Sequence, residues 1–172
     1  MNFDKRAQVK AYLDEQEIPY EIHEHPPVPT VEEALPYWKD IDAAHCKNLF
    51  FRNHKGNKHY LVILDHRRIL NIRDLEQRLK QGKISFASPK RMDRYLGVGG
   101  GSVSVFGIIH DHENHVHLFI DERLRNVKRI SFHPNENTAT FVISFASFIK
   151  FLESCGNSYE FIALYEDESE GI

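Results

Sequence analysis

Two apolar runs separated by a short polar turn constrain this chain more than any other feature. Lys47-Asn48-Leu49-Phe50-Phe51-Arg52 and Tyr60-Leu61-Val62-Ile63-Leu64 flank Asn53-His54-Lys55-Gly56-Asn57, a turn-forming stretch, so the segment reads as a β-hairpin. A lone strand pair is marginal in water, so this hairpin needs neighbours. Strand-like runs at Tyr20 to Ile22, Val103 to Ile109, His115 to Ile120, Val127 to Phe132, Thr138 to Ile143 and Tyr159 to Tyr165 can supply them. Helical signals fall between the runs. Phe3, Val9, Tyr12 and Leu13 mark an opening helix, and the Thr30/Glu33 capping box starts a short one that should stop near Pro36. Ile72, Leu75 and Leu79 mark a third helix, and Ser88-Pro89 opens a fourth that ends at Leu96. Ser144 caps a last helix bearing Phe145, Phe148, Ile149 and Leu152, with Gly156 at its C-terminal end. The expected class is α+β: a single domain over residues 1–165, its mixed, largely antiparallel sheet surrounded by helices, and then an acidic tail at 166–172.

Charge is unevenly spread along the chain. The 172 residues carry −3 overall, which by itself gives no reason to expect a nucleic acid. Lys47 to Arg94, however, holds 13 basic residues against Asp65, Asp74, Glu76 and Asp93, a net of +9, leaving −12 on the other 124 residues. Gathered on one face, those cations would neutralise phosphates; balanced by acids nearby in space, they would be an ordinary solvated surface. No run approaches the roughly 18 apolar residues of a membrane span, and MNFDKRAQVK lacks the apolar core of a signal peptide, so no membrane association and a cytoplasmic location are expected.

Most familiar chemistries are excluded or weakened by spacing. Cys46 and Cys155 form no CxxC pair, which argues against a disulfide framework or structural zinc. His45 adjoins Cys46, but neighbours on a strand point to opposite faces, so a Cys/His dyad is disfavoured. Ser102 and Ser104 lie outside any GxSxG elbow, and the glycine run 97–101 matches no nucleotide-hydrolysing loop. That run could still turn backbone N–H groups toward a ligand, or be a plain flexible turn. His110, His112, His115 and His117 invite a metal reading, but without a ligand signature, and no metal is expected. Lys47 remains. A cation at the head of an apolar strand needs either an anionic partner or a wet cleft.

Several of these segments, in this order, resemble one family. Lys47 to Arg52, Tyr60-Leu61-Val62, Ser85-Phe86-Ala87-Ser88, Gly101-Ser102-Val103-Ser104-Val105-Phe106-Gly107 and Phe132-His133-Pro134-Asn135-Glu136-Asn137-Thr138-Ala139-Thr140 are similar to the YbaK/prolyl-tRNA-synthetase-associated editing domains, most of all the free-standing, ProX-like branch. The resemblance runs from about residue 5 to residue 164. It implies a trans-editing deacylase that hydrolyses the ester of mischarged tRNA(Pro), most naturally Ala-tRNA(Pro), with the tRNA acceptor end as partner and prolyl-tRNA synthetase as a further one, and with neither DNA nor cofactor. By the same resemblance Lys47 acts electrostatically on the ester and Asn48 hydrogen-bonds beside it. Gly100, Gly101 and Ser102 cradle the aminoacyl group, His133 shapes a small pocket, and a ribose hydroxyl of the substrate activates the water. Relatives carry proline where this chain has Gly100, which loosens the loop and brings Cys-tRNA(Pro) or Ser-tRNA into consideration. A non-catalytic tRNA or amino-acid binding module of the same fold is the alternative.

Overall fold

A computed structural model describes residues 4–165; Phe3 and the acidic tail 166–172 lie outside the described residues. In chain order the elements are α1 (Lys5–Glu15), β1 (Glu21–Glu24), α2 (Val31–Trp38), β2 (Ala44–Asn53), β3 (His59–Asp65), α3 (Ile72–Leu79), β4 (Ile84–Phe86), α4 (Pro89–Leu96), β5 (Val116–Asp121), β6 (Arg129–Phe132), β7 (Ala139–Ser144), α5 (Phe145–Cys155) and β8 (Tyr159–Ile162). The hairpin forms where the sequence predicts it, with Lys47 opposite Leu64 and Phe51 opposite Tyr60. Asn53 closes its turn, because the Oδ1 atom accepts from the N–H groups of both Asn57 and Lys58 at 3.0 Å.

The strands form one sheet in the order β1-β7-β6-β2-β3-β5-β8, with β4 paired to β2 beside this path. The β1–β7, β2–β3, β2–β4 and β6–β7 ladders are antiparallel, while β2–β6, β3–β5 and β5–β8 are parallel, so the sheet is mixed and mostly antiparallel, as expected. Both faces are covered, which is why β3 and β5 read as continuous apolar runs rather than alternating ones. On one face Phe50, Leu61 and Ile63 pack with Val9 and Leu13 of α1 and with Phe148 and Phe151 of α5. On the other, Phe51, Val62 and Leu64 meet Leu75 and Leu79 of α3.

Two local expectations are corrected. Residues 103–109 are not a strand: Val105–His110 winds into a 3-10 helix, capped by Ser104, whose Oγ accepts from the Phe106 N–H at 3.2 Å. The run is buried on all sides, so its apolarity carried no period, and Gly107 lies so close to α4 that a Cβ there would stand 2.8 Å from Leu96. α2 also does not stop near Pro36 but continues to Trp38. Only the bond to the Glu32 carbonyl, on the first turn, is forgone, and continuation buries the Trp38 indole.

Candidate active site

The site begins with a gap in hydrogen bonding. One edge of β2 is paired to β3 from Cys46 to Arg52. The other edge is shared: β6 pairs with Ala44 and His45, and β4 pairs with Phe51 to Asn53. Between these ladders, Cys46 to Leu49 have no strand neighbour on that side among the described residues. A cavity of about 240 Å³ opens there, with Lys47, Asn48 and Leu49 on one wall, the Val28–Val31 segment and Trp38 on another, and Gly101, Val103 and His133 closing it.

Lys47 occupies the half-buried mouth of this gap. Its Nζ donates to the Arg68 carbonyl oxygen at 3.1 Å, and no carboxylate lies within ion-pair distance of it among the described residues. A lysine with a purely structural role at such a place would be matched by an acid; this ammonium is steadied by a neutral oxygen and keeps further N–H donors to offer. Asn48 has one oriented bond, its Oδ1 accepting from the Val105 N–H at 3.0 Å, which ties the glycine-rich segment to β2 and leaves the Nδ2 amide as a donor.

The far wall is aromatic and uncharged. Trp38 stacks on His45 with ring centroids 4.7 Å apart, and its Nε1–H donates to Thr140 Oγ1 at 3.1 Å. The Thr140 hydroxyl in turn donates to His25 Nε2 at 2.9 Å, since His25 Nδ1–H donates to the Pro26 carbonyl. His133 Nδ1–H donates to the Ala139 carbonyl at 3.0 Å. Burial holds the His133 and His45 imidazoles below the ordinary histidine range, so both rings are neutral at pH 7. The Cys46 thiol is pushed up by burial and stays protonated.

Of the residues singled out in the sequence, Lys47, Asn48, Gly101 and His133 meet in this cavity. Gly101 is left-handed at φ +81° and a Cβ there would sit 3.6 Å from the Pro29 carbonyl, so glycine suits the position. Gly100 is exposed and does not line the cavity, and Ser102 faces the neighbouring polar cleft with Arg6, Asn135 and Glu136. The histidines at 110–117 are dispersed: His115 bonds His59, His117 bonds Ser158 and Glu160, and His110 lies against Gly97. Sequence reasoning missed Trp38 and the Val28–Val31 wall, although the Thr30 capping box had marked the start of that helix.

A family model for the aminoacyl-tRNA editing domain matches residues 25–151. This chain belongs to that family. The editing domain is 36% identical over 168 residues to the prolyl-tRNA editing protein ProX of Acetoanaerobium sticklandii, covering 95% of this chain and 100% of that protein. It is 34% identical over 158 residues to the prolyl-tRNA synthetase associated domain-containing protein 1 of Xenopus laevis, covering 90% and 94%. The crystal structure of a candidate trans-editing enzyme for prolyl tRNA synthetase superposes with a TM-score of 0.68 at 18% identity, over 95% of this chain and 99% of that one, and shows the same fold. Among the described residues of the editing domain, no helix is long and apolar enough to cross a membrane.

Proposed function

We propose that this editing domain hydrolyses the ester joining alanine to the terminal ribose of tRNA(Pro). What carries the reading is Lys47, an ammonium without an acidic partner among the described residues, on the wall of a cavity of about 240 Å³, below the roughly 300–1,000 Å³ of ordinary ligand pockets. Such a space suits a small aminoacyl group, and a cation at its mouth favours the oxyanion that forms when water adds to the ester carbonyl. Among the described residues the lining contains no carboxylate, and burial lowers the basicity of the His133 imidazole. Following the family resemblance, we assign the water proton to the ribose hydroxyl beside the ester, which passes its own proton to the departing ribose oxygen as the C–O bond breaks.

The need for such a site is physical. A synthetase pocket that admits proline discriminates poorly against a smaller side chain, because a missing methylene changes binding by only about 1–3 kcal/mol. A second cavity that rejects by size supplies the rest. Trp38, held on both sides by Thr140 and His45, is the rigid wall that sets the limit.

The test is the deacylation rate of Ala-tRNA(Pro) beside Cys-, Ser- and Pro-tRNA(Pro). Rapid loss of alanine with proline spared is the expected result. Loss of proline at the same rate would remove the size argument, and faster loss of cysteine or serine would reassign the substrate. Binding of charged tRNA with every ester intact would leave a binding module.

A further inference from the structure

The cavity mouth continues along β2 into a surface whose composition is unusual for an edge of a sheet. The period of two places Lys47, Leu49 and Phe51 on one face of the strand. Phe86 of β4 stands directly opposite Phe51 in the antiparallel ladder and therefore shares that face. Phe51 is completely buried, and Phe86 lies stacked on it, ring centroids 4.6 Å apart at 26°, while remaining 55% exposed. One face of the Phe86 ring is thus seated on the core and the other is turned to solvent. Its backbone is fixed on both sides, by pairing of Ser85 with Arg52 and by the Ala87 N–H bond to the Phe50 carbonyl at 2.9 Å.

The surroundings indicate what such a ring takes. Past Phe86 the chain turns through Ser88, the cap of α4, to the other face of the sheet, where Ser88, Lys90, Arg91, Arg94 and Tyr95 line a depression of about 390 Å³. Arg91 is held there by the Gly56 carbonyl and His59, each at 2.9 Å. This ring lies inside the segment of net +9 and shares its face of β2 with the Lys47 cation. Aromatic faces interleaved with positive charge are how proteins hold unpaired nucleotides, the ring stacking a base while cations meet the phosphates. Lys47 and Phe51 are four residues apart, about 13 Å at a strand rise of ~3.3 Å per residue. A stacked strand advances ~3.4 Å per nucleotide, so the ring falls within a few nucleotides of an ester held at Lys47.

We propose that Phe86 is a stacking platform for an unpaired base of the RNA that carries the ester. This rests on the editing reading of the Lys47 cavity and adds a subsite that sets RNA affinity.

The experiment uses an alanyl-RNA hairpin ending in a short unpaired 3′ tail, with wild type, Phe86→Ala, Phe86→Leu and Phe86→Tyr. Stacking on Phe86 raises KM about tenfold in the Ala and Leu variants, with kcat changed less than twofold, and Tyr restores wild-type KM. Moving the ester to a blunt 3′ end abolishes the difference between the variants. In parallel, the uncharged tailed hairpin quenches the added indole of Phe86→Trp beyond any change in wild type. A Leu variant with wild-type KM would show that apolar area rather than a ring is used. Unchanged KM in Phe86→Ala, or no quenching, would overturn the proposal while leaving the deacylase intact. Quenching without hydrolysis by wild type would support the platform and sink the editing reading.

Discussion

Among the described residues two histidine clusters differ in what their imidazoles bond to. Around Trp38, the rings of His25, His45 and His133 bond to hydroxyl and carbonyl oxygens, so each imidazole is satisfied by a neutral partner and the rings stand as a wall. At the hairpin end, His59 Nδ1–H donates to His115 Nε2 at 2.8 Å, and His59 Nε2 accepts from Arg91 at 2.9 Å, with Tyr95 stacked over His115. There the imidazoles bond each other and a cation. A cluster of imidazoles becomes a site when its bonds point backward into the scaffold and leave the front face open. Residue type alone does not distinguish the two.

The difference can be broken from either side. The largest effect should come from Lys47→Ala, which removes the charge the open cavity presents: kcat falls about 10²- to 10³-fold in single-turnover deacylation. His59→Gln, in the cluster at the hairpin end, stays within a few-fold, and an equal loss in both would erase the contrast. Next, Thr140→Val strips the partner from Trp38 Nε1 and His25 Nε2 at once while keeping the volume. Two buried polar atoms are orphaned, so urea denaturation should show a loss of about 2–3 kcal/mol.

Acid should separate the clusters further. Burial, then the charges of His115, Arg91, Arg94 and Arg52, lower His59 to about 4. Its folded value lies below the unfolded one of about 6.5, so its contribution is complete above about 6.5 and is lost as pH falls through about 4. Between pH 7 and 5 this linkage removes about 2 kcal/mol from wild type, and His59→Gln should lose correspondingly less in paired denaturation curves. A parallel decline of the two proteins would mean that His59 is not the group responsible. The smallest effect belongs to the cap of α4. Ser88 Oγ accepts from the Arg91 N–H at 3.3 Å, and Ser88→Ala should cost about 1 kcal/mol of thermal stability.

The hairpin was legible because its turn residues and its paired apolar runs are local signals, and Lys47 was legible because a cation is costly at the head of such a strand. The α4 cap, Ser88 before Pro89, was readable for the same local reason. The 3-10 helix at Val105–His110 was not, since a segment buried all round shows neither period. Nor was the cavity. It exists because β4 and β6 each take one end of the same β2 edge, a tertiary arrangement that leaves no mark on residues 46–49 themselves. Gly101 and His133 reach it from distant segments, and nothing local distinguishes them from Gly100 and Ser102, which point elsewhere.

The seam between the two halves of the sheet is narrow: β6 meets β2 only at Ala44–Ile130 and His45–Ser131. One half, β1-β7-β6, carries His133 and supports Trp38 through Thr140, while the other carries Lys47 on a strand paired along seven residues with β3. On the proposed reading, reactive group and sieve therefore belong to different blocks of the molecule. On that reading, changes in bulk within β7 or α2 would retune which amino acid is admitted without touching the ladder that holds the ammonium.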